Sequence, residues 1–500
     1  MEEIIDETQQ SIEISINDDM DERLGWAKLK LGDVATYLNG RAFKPKEWKE
    51  NGLPIIRIQN LNNPDASYNY SDEMFEERYL VRHGDLLFAW SASLGAYIWK
   101  GKNAWLNQHI FKVVPKNIIH KLYLYYYLDK VTKELYSKAH GSGMVHVTKN
   151  KFEETQIYLP PLPEQRAIVS KIEQIFSELD NGIANLKLAQ EQLKVYRQAV
   201  LKKAFEGELT KKWREQQTNL PDAEDLLEQI RKEREETAKV SGKKLKKVKS
   251  LTDTELEELS KLPVGWKWVR LGEIINNIQA GKSIRCDERP PKLNELGIVK
   301  VSSVSWGEFD ENESKTCFSE EAFNSDYIIH RNDFLFSRAN TIELVGACVI
   351  VKSLSKRLML SDKTLRIDFS QHHLNFYSLY YLRSVFGRKE IESLATGNQE
   401  SMRNIGQNRI RQIKIPLCSL PEQQTIVQEI ETRLSVCDKI EQDIAENLEK
   451  AEALRQSILK KAFEGKLLNE RELAEVRGAE DWEPAEVLLE RIKKERAGKK

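Results

Sequence analysis

Apolar residues recur every seven positions along one stretch of the chain, at Ile172, Leu179, Leu186, Leu193 and Val200, with Ile168, Ile175, Ala189 and Tyr196 on a companion row. That period predicts a long helix carrying a coiled-coil seam. Pro163 and Glu164 suit its first turn, where proline gives up an N–H that would be unpaired anyway and a carboxylate meets the positive helix end. Gly207 suits a left-handed C-cap. As a straight helix, residues 163 to 206 would extend ~66 Å, a spacer's length. A second seam runs through Ile430, Cys437, Ile444, Ala451 and Ile458 and ends at Gly465. Elsewhere, short apolar runs at 54–58, 96–99, 110–114, 298–301 and 347–351 are bounded by Gly, Pro and Asn and predict strands. Tyr123, Tyr125, Tyr126 and Tyr127, like Tyr377, Tyr380 and Tyr381, sit in longer apolar stretches that predict buried helix faces rather than base-stacking platforms.

The two seams belong to one segment written twice. Residues 162–209 and 420–467 align at an offset of 258 and are identical at 21 of 48 positions, opening on Leu-Pro-Glu-Gln and closing on Leu-Lys-Lys-Ala-Phe-Glu-Gly. So long a period indicates two large units in tandem rather than a solenoid, whose repeats run at about 20–50 residues. The globular parts share the duplication: Gly25-Trp26 answers Gly265-Trp266, Gly84-Asp85-Leu86-Leu87-Phe88 answers Asn332-Asp333-Phe334-Leu335-Phe336, and Leu94-Gly95-Ala96 answers Val345-Gly346-Ala347. Between these anchors the copies share almost nothing. A shorter helix is expected after each long one, from Ala223 to Ile230 and from Ala485 to Ile492, at an offset of 262. The reading is an α+β fold: two mixed α/β domains separated by two long antiparallel coiled-coil helices in a pseudo-two-fold duplication. Its segments are an acidic tail (1–22), a first globular domain (23–161), a helical spacer (162–238), a basic linker (239–262), a second globular domain (263–419) and a C-terminal helical spacer (420–500).

Composition narrows the function mostly by exclusion. The 500 residues carry a formal net charge of -1, with 31% charged residues and no run apolar enough for a membrane span. A soluble, cytoplasmic chain is expected. Near-neutrality argues mildly against nucleic acid, but it averages an acidic head against a run at Lys239, Lys243, Lys244, Lys246, Lys247 and Lys249, read as a solvated linker or a phosphate contact. The five cysteines show no C-x-x-C pair and suggest reduced thiols rather than zinc or a disulfide framework. No catalytic constellation is evident. Gly281-Lys282-Ser283 lacks the earlier glycine of a phosphate loop, Asn276 standing there, and Gly141-Ser142-Gly143 is too short for a dinucleotide site. Asp85 and Asp333 are read as turn residues holding backbone amides.

Leu162-Pro163-Glu164-Gln165, Arg197-Gln198, Ala204-Phe205-Glu206-Gly207 and Trp213-Arg214, repeated around two Gly-Trp openings, resemble the specificity subunits of Type I restriction-modification systems. Asn332 in place of glycine and the acidic head depart from that pattern. The resemblance implies a non-catalytic chain whose two target-recognition domains each read one half of a bipartite double-stranded DNA site. It implies partners as well: modification subunits, two of them, which bind S-adenosylmethionine and methylate adenine, and a restriction and motor subunit using ATP and magnesium. The competing reading is a coiled-coil adaptor that never touches DNA.

Divergence on a shared scaffold fits two half-sites of different sequence, since base-edge patterns differ while the frame need not. Candidate DNA-reading residues are the polar and basic ones in loops beside the scaffold. In the first domain these are Arg41, Arg57, Gln59, Asn60, Ser91, Ser93, Gln108, His109, Lys149 and Asn150. In the second they are Lys282, Arg285, Lys300, Ser302, Arg338, Asn340, Lys363, Asn398, Gln399 and Arg403.

Overall fold

The computed structural model describes residues 25–484 and 487, apart from residues 64, 92, 139–147, 242–247, 318–323 and 400–401. The acidic tail, four lysines of the basic run (Lys243, Lys244, Lys246 and Lys247), Gly141-Ser142-Gly143 and all but Val487 of the expected last helix lie outside the described residues. The chain divides into two units, one of residues 1–186 with 445–500 and one of residues 187–444. Both boundaries fall inside the long helices, Leu162–Phe205 and Leu420–Phe463. Each unit therefore contains one globular domain, the start of the helix that follows it and the end of the other helix.

Within the first unit, strands Ala35–Asn39, Ile110–Pro115, Leu86–Ala89 and Gly95–Ile98 lie side by side in that order as an antiparallel sheet. A second sheet runs Asn69–Ser71, Leu53–Ile56, Ala104–Leu106, Leu80–Val81, its central pair parallel. A short ladder of Ala27–Lys30 with Gln156–Leu159 closes the domain on itself. The second unit repeats the plan with Ile275–Ala280, Thr364–Phe369, Phe334–Ser337 and Cys348–Ile350 in one sheet, Ser314–Cys317, Leu296–Val299 and Arg357–Met359 in another, and Lys267–Arg270 on Lys414–Leu417. It adds a small sheet of Ala339–Asn340, Met402–Asn404 and Thr396–Gln399. The predicted strands are present but shorter at their ends, Arg57, Trp99, Lys300, Ala347 and Val351 lying outside them. The chain leaves extended geometry at Arg57 and Lys300 and enters short helical turns, Ile58–Asn62 and Val301–Ser303, so Ile58 and Val301 are not strand residues.

The repeated motifs explain how each domain meets its helices. Glu164 in the first helical turn is buried and accepts a hydrogen bond from the Trp26 indole at 2.8 Å; Glu422 does the same for Trp266 at 2.9 Å. Gln165 and Gln423 are wholly buried and pin backbone: Gln165 accepts from His120 N and donates to Pro160 O, while Gln423 accepts from Leu374 N and donates to Cys418 O. The two carboxylates differ in company. Arg214 and Thr210 both donate to Glu422 at 2.8 Å, whereas burial pushes the Glu164 carboxyl above its ordinary range, opposed by the indole bond.

The far ends of the helices close the opposite cores. Phe463 packs edge-on against Tyr123 and Tyr127, with ring centroids 5.1 Å apart in both pairs. Phe205 meets Tyr377 at 5.3 Å and Tyr381 at 5.1 Å. These tyrosines lie on helices Lys121–Lys138 and Asn375–Arg383 and are buried, as their apolar stretches suggested. In each unit the two helix segments run antiparallel. Arg455 pairs with Asp180 in the first, and Arg197 with Asp438 at 2.6 Å in the second. Both are the same two positions of the repeat, since 197 + 258 = 455 and 180 + 258 = 438.

Seam burial is uneven. Ile430, Cys437, Ile444, Ala451 and Ile458 are all buried, as are Ile172 and Val200, but Leu179, Leu186 and Leu193 are only half-buried and Tyr196 is 46% exposed. The companion row therefore fails at Tyr196. Gly207 (φ +73°) and Gly465 (φ +68°) supply the left-handed caps. The amide after each reaches back five residues, from Glu208 to Lys203 O and from Lys466 to Lys461 O. Of the basic run, Lys239 falls within helix Ala223–Ser241, and the following segment forms a short capped helix, Asp253–Glu257, whose Glu255 takes Arg270 at 2.7 Å. The linker is thus partly built into the second unit.

Removing the ring in Phe463→Ala should cost about 3–5 kcal/mol, because neighbouring tyrosines cannot collapse into the space. Urea unfolding with hydrogen exchange should register the loss in the first unit, with amides of Leu86–Ala89 exposed and those of Phe334–Ser337 unaffected.

Candidate nucleic-acid interface

In both units the strand ends place loops at one edge of the sheets. In the first, parallel strands Leu53–Ile56 and Ala104–Leu106 finish level, Ile56 opposite Leu106, and Asn107 N donates to Ile56 O at 3.2 Å. Arg57 and Gln108 therefore leave the sheet together. Ala89 pairs with Ile110, and Trp90 N donates to His109 O, which brings Trp90, Ser91 and Ser93 to the same edge. Gly40 and Arg41 join them through bonds to Ile110 O and Leu106 O. No side chain fits at Gly40, where a Cβ would lie 2.1 Å from Asn107 O.

The second unit makes the same edge from equivalent positions. Lys300 follows strand Leu296–Val299 as Arg57 follows Leu53–Ile56. Lys282 follows Gly281, itself 1.8 Å from Leu360 O at a Cβ, as Arg41 follows Gly40. Arg338 and Lys363 share a backbone bond of 3.0 Å at the ends of paired strands Phe334–Ser337 and Thr364–Phe369. Arg338 O accepts from Ile405 N, and Asn340 lies opposite Arg403, so the small sheet is fastened to this edge too.

Not every candidate is free to read a base. Arg41 is committed to the scaffold: it pairs with Glu47 at 2.7 Å and covers the Phe75 ring at 4.0 Å, and the Lys44 amide, with the Arg41 guanidinium, holds the Glu47 carboxyl below its ordinary range. Asn60 is buried and ties its own loop, accepting from Arg57 N and donating to Ala66 O and Ser67 O. Ser91 is buried, and Arg403 donates to Gly397 O. Ser302 donates to Glu313 at 2.5 Å, and Asn340 accepts from Thr341 N. Lys149 and Asn150 sit apart on helix Lys149–Glu153, where Lys149 pairs with Glu153 and Phe152 stacks on Phe88. Asn398 lies in strand Thr396–Gln399, and its side chain is outside the described residues.

Gln59 is exposed but donates to Ser67 O at 3.4 Å; the side chains left facing outward are Arg57 in the first unit and Lys282, Arg285, Lys363 and Gln399 in the second, with Ser93, Lys300 and Arg338 half-buried. Gln108 and His109 are half-buried with Gln108 Oε1 and His109 Nδ1 unpartnered, two polar atoms able to take a ligand bond. Sequence reasoning missed Asn62 and Tyr97, which bind each other at 2.6 Å while Asn62 also donates to Ser93. No pattern marks them, because one ends a short helix, the other lies on a strand of a different sheet, and 35 residues separate them.

The matched aspartates are turn residues. Asp85 accepts from Arg82 N and Asp333 from His330 N, both at 2.8 Å. Asn332 holds φ +71° where Gly84 holds +85°, so asparagine substitutes for glycine by tolerating the left-handed region. Among the described residues no group of three or more His, Cys, Asp or Glu is placed to hold a metal ion, and no helix is long and apolar enough to cross a membrane.

Residues 24–188 and 263–450 match the family model described as Type I restriction modification DNA specificity domain. The EcoBI specificity subunit of Escherichia coli is 25% identical, covering 98% of this chain and 96% of its own. The MjaVIII specificity subunit of Methanocaldococcus jannaschii is 26% identical over 88% and 93%. A solved chain from work on assembly and conformational transition of the type I R-M system superposes with a TM-score of 0.58 at 18% identity, covering 88% of this chain and 98% of that one.

Scaffold and outward residues should separate by mutation. Asn60→Ala removes three part-buried hydrogen bonds that hold its loop and should cost about 1–3 kcal/mol, while Arg57→Ala should stay within ~0.5 kcal/mol. Chemical denaturation of the two variants checks both, and a large loss for Arg57→Ala would place it in the scaffold instead.

Proposed function

The chain belongs to the Type I restriction-modification DNA specificity family, and from that premise we propose that each unit reads one half of a bipartite double-stranded site through the loop edge described above. One observation carries this: a common scaffold presents different chemistry at matched positions. Arg57 answers Lys300, while Gln108 and His109 answer Asp362 and Lys363. The first edge is rich in amides and hydroxyls, which suit adenine and mixed contacts; the second is rich in Lys and Arg, which suit guanine and phosphate. Nothing favours the adaptor reading.

The chain itself supplies recognition and no chemistry. Two modification subunits dock on the helical segments and bring S-adenosylmethionine, and a motor subunit brings ATP and magnesium. The purified chain alone neither methylates nor cuts DNA. The cytoplasm is its expected compartment.

Exchanging residues 23–161 for those of a related subunit should change one half of the methylated motif and leave the other intact. Methylome sequencing of a host carrying the hybrid with its modification partner reads this directly; alteration of both halves, or of neither, would reject one unit per half-site. Within the first unit, Arg57→Ala should relax one or two base pairs by ~1–3 kcal/mol if the contact is bidentate to guanine.

A further inference from the structure

Two cysteines meet beside the second unit's three-stranded sheet, at the Leu296 end of strand Leu296–Val299 and away from Lys300. Asp287 and Thr316 exchange both backbone hydrogen bonds, at 2.9 and 3.0 Å. In an antiparallel ladder the neighbouring pair is then a non-hydrogen-bonded one, with Cα atoms ~4.5 Å apart, inside the ~4.4–6.8 Å that a disulfide requires. That neighbouring pair is Cys286 and Cys317, and their sulfurs lie 2.8 Å apart. Cys317 is buried with Leu296, Ile298 and Met359, while Cys286 packs at the rim and is half-buried. Burial, with the bond to Cys286, pushes the Cys317 thiol up to about 12. Cys286 is therefore the sulfur that an oxidant reaches.

The loop before Cys286 is held at both ends. Gly281 N donates to Ser361 O at 3.1 Å in a space too tight for a side chain. Beyond Cys286 the chain is fastened by Lys315 to Glu288 at 2.5 Å and by Arg289 to Glu295 at 2.7 Å. Between these anchors Lys282, Ser283 and Arg285 are exposed. We infer that Cys286 and Cys317 form a reversible dithiol–disulfide pair that fixes the 282–286 loop and thereby tunes the contact of Lys282 and Arg285 with DNA. The DNA half of this statement rests on the half-site reading above; the covalent half does not.

With hydrogen peroxide as oxidant, the Cys286 thiolate attacks the O–O bond, giving a sulfenic acid and hydroxide. The Cys317 thiol then attacks that sulfur and a water leaves, so two thiols lose two electrons and two protons and one peroxide becomes two waters. A dithiol reductant reverses the bond by exchange. Cys348, Cys418 and Cys437 are buried without a thiol partner and serve as internal controls.

The full chain, assembled with its modification partner, is titrated with hydrogen peroxide, alkylated and mapped without reduction by mass spectrometry. A peptide joining Cys286 to Cys317 is expected, reversed by dithiothreitol and absent in Cys286→Ser. Trypsin cleavage after Lys282 and Arg285, which needs no DNA, should slow roughly threefold or more in the oxidised form. Affinity for the duplex carrying the methylated sequence should shift by about three- to tenfold, in step with substitutions in one half-site only. Both thiols remaining alkylatable at peroxide levels that leave the fold intact would overturn the switch, as would a cross-link that leaves tryptic cleavage unchanged. Protection from trypsin with no DNA binding in either form would uphold the switch and count against the half-site reading.

Discussion

Each globular domain is closed by an aromatic ring delivered from the far end of a helix that begins after the other domain. Phe463 fills the first core and Phe205 the second, while Glu164 with Gln165 and Glu422 with Gln423 bind the start of the nearer helix to the same domain. Neither core is complete on a contiguous stretch of chain. Within its own unit, a helix end that carries a buried phenylalanine cannot slide by a turn without emptying a cavity between two tyrosines.

The same constraint explains where the repeat is strict and where it is loose. Between 162 and 180 the two copies share 10 residues, between 191 and 209 they share 11, and between 181 and 190 they share none. The ends lie in cores, where shape and hydrogen bonding leave little choice. The middle carries half-buried Leu186 and exposed Leu188, and a helix there needs only to stay helical.

Scaffold and loop edge are separated by the same physics. Gly40 and Gly281 exist because neighbouring backbone leaves no room for a Cβ, and Asp85 and Asp333 because a turn amide needs an acceptor. Such demands come from the fold and are met identically in both units. The side chains at the ends of the strands answer to whatever approaches them from outside, and they differ.

The sequence by itself determined the duplication, by a match at an offset of 258, and both long helices with their caps, most strands and the turn role of the two aspartates, since these rest on spacing within a few turns of chain. It also named most of the loops that the fold gathers at one edge of each unit. The tertiary structure decided which of those side chains are free. Arg41 and Asn60 look like readers in the sequence, yet Glu47, Phe75 and the Ala66 and Ser67 carbonyls claim them. Asn62 and Tyr97 carry no signal, yet they meet at the edge. The exchange of helix ends, the half-burial of Leu179, Leu186 and Leu193, and the facing sulfurs of Cys286 and Cys317 were equally out of reach. A periodicity reports the face a residue occupies on its own element, but the neighbour it meets is set by loop closure over 6 or 7 residues at Arg41 and Asn60, and elsewhere by strand register and helix packing over separations up to 315 residues.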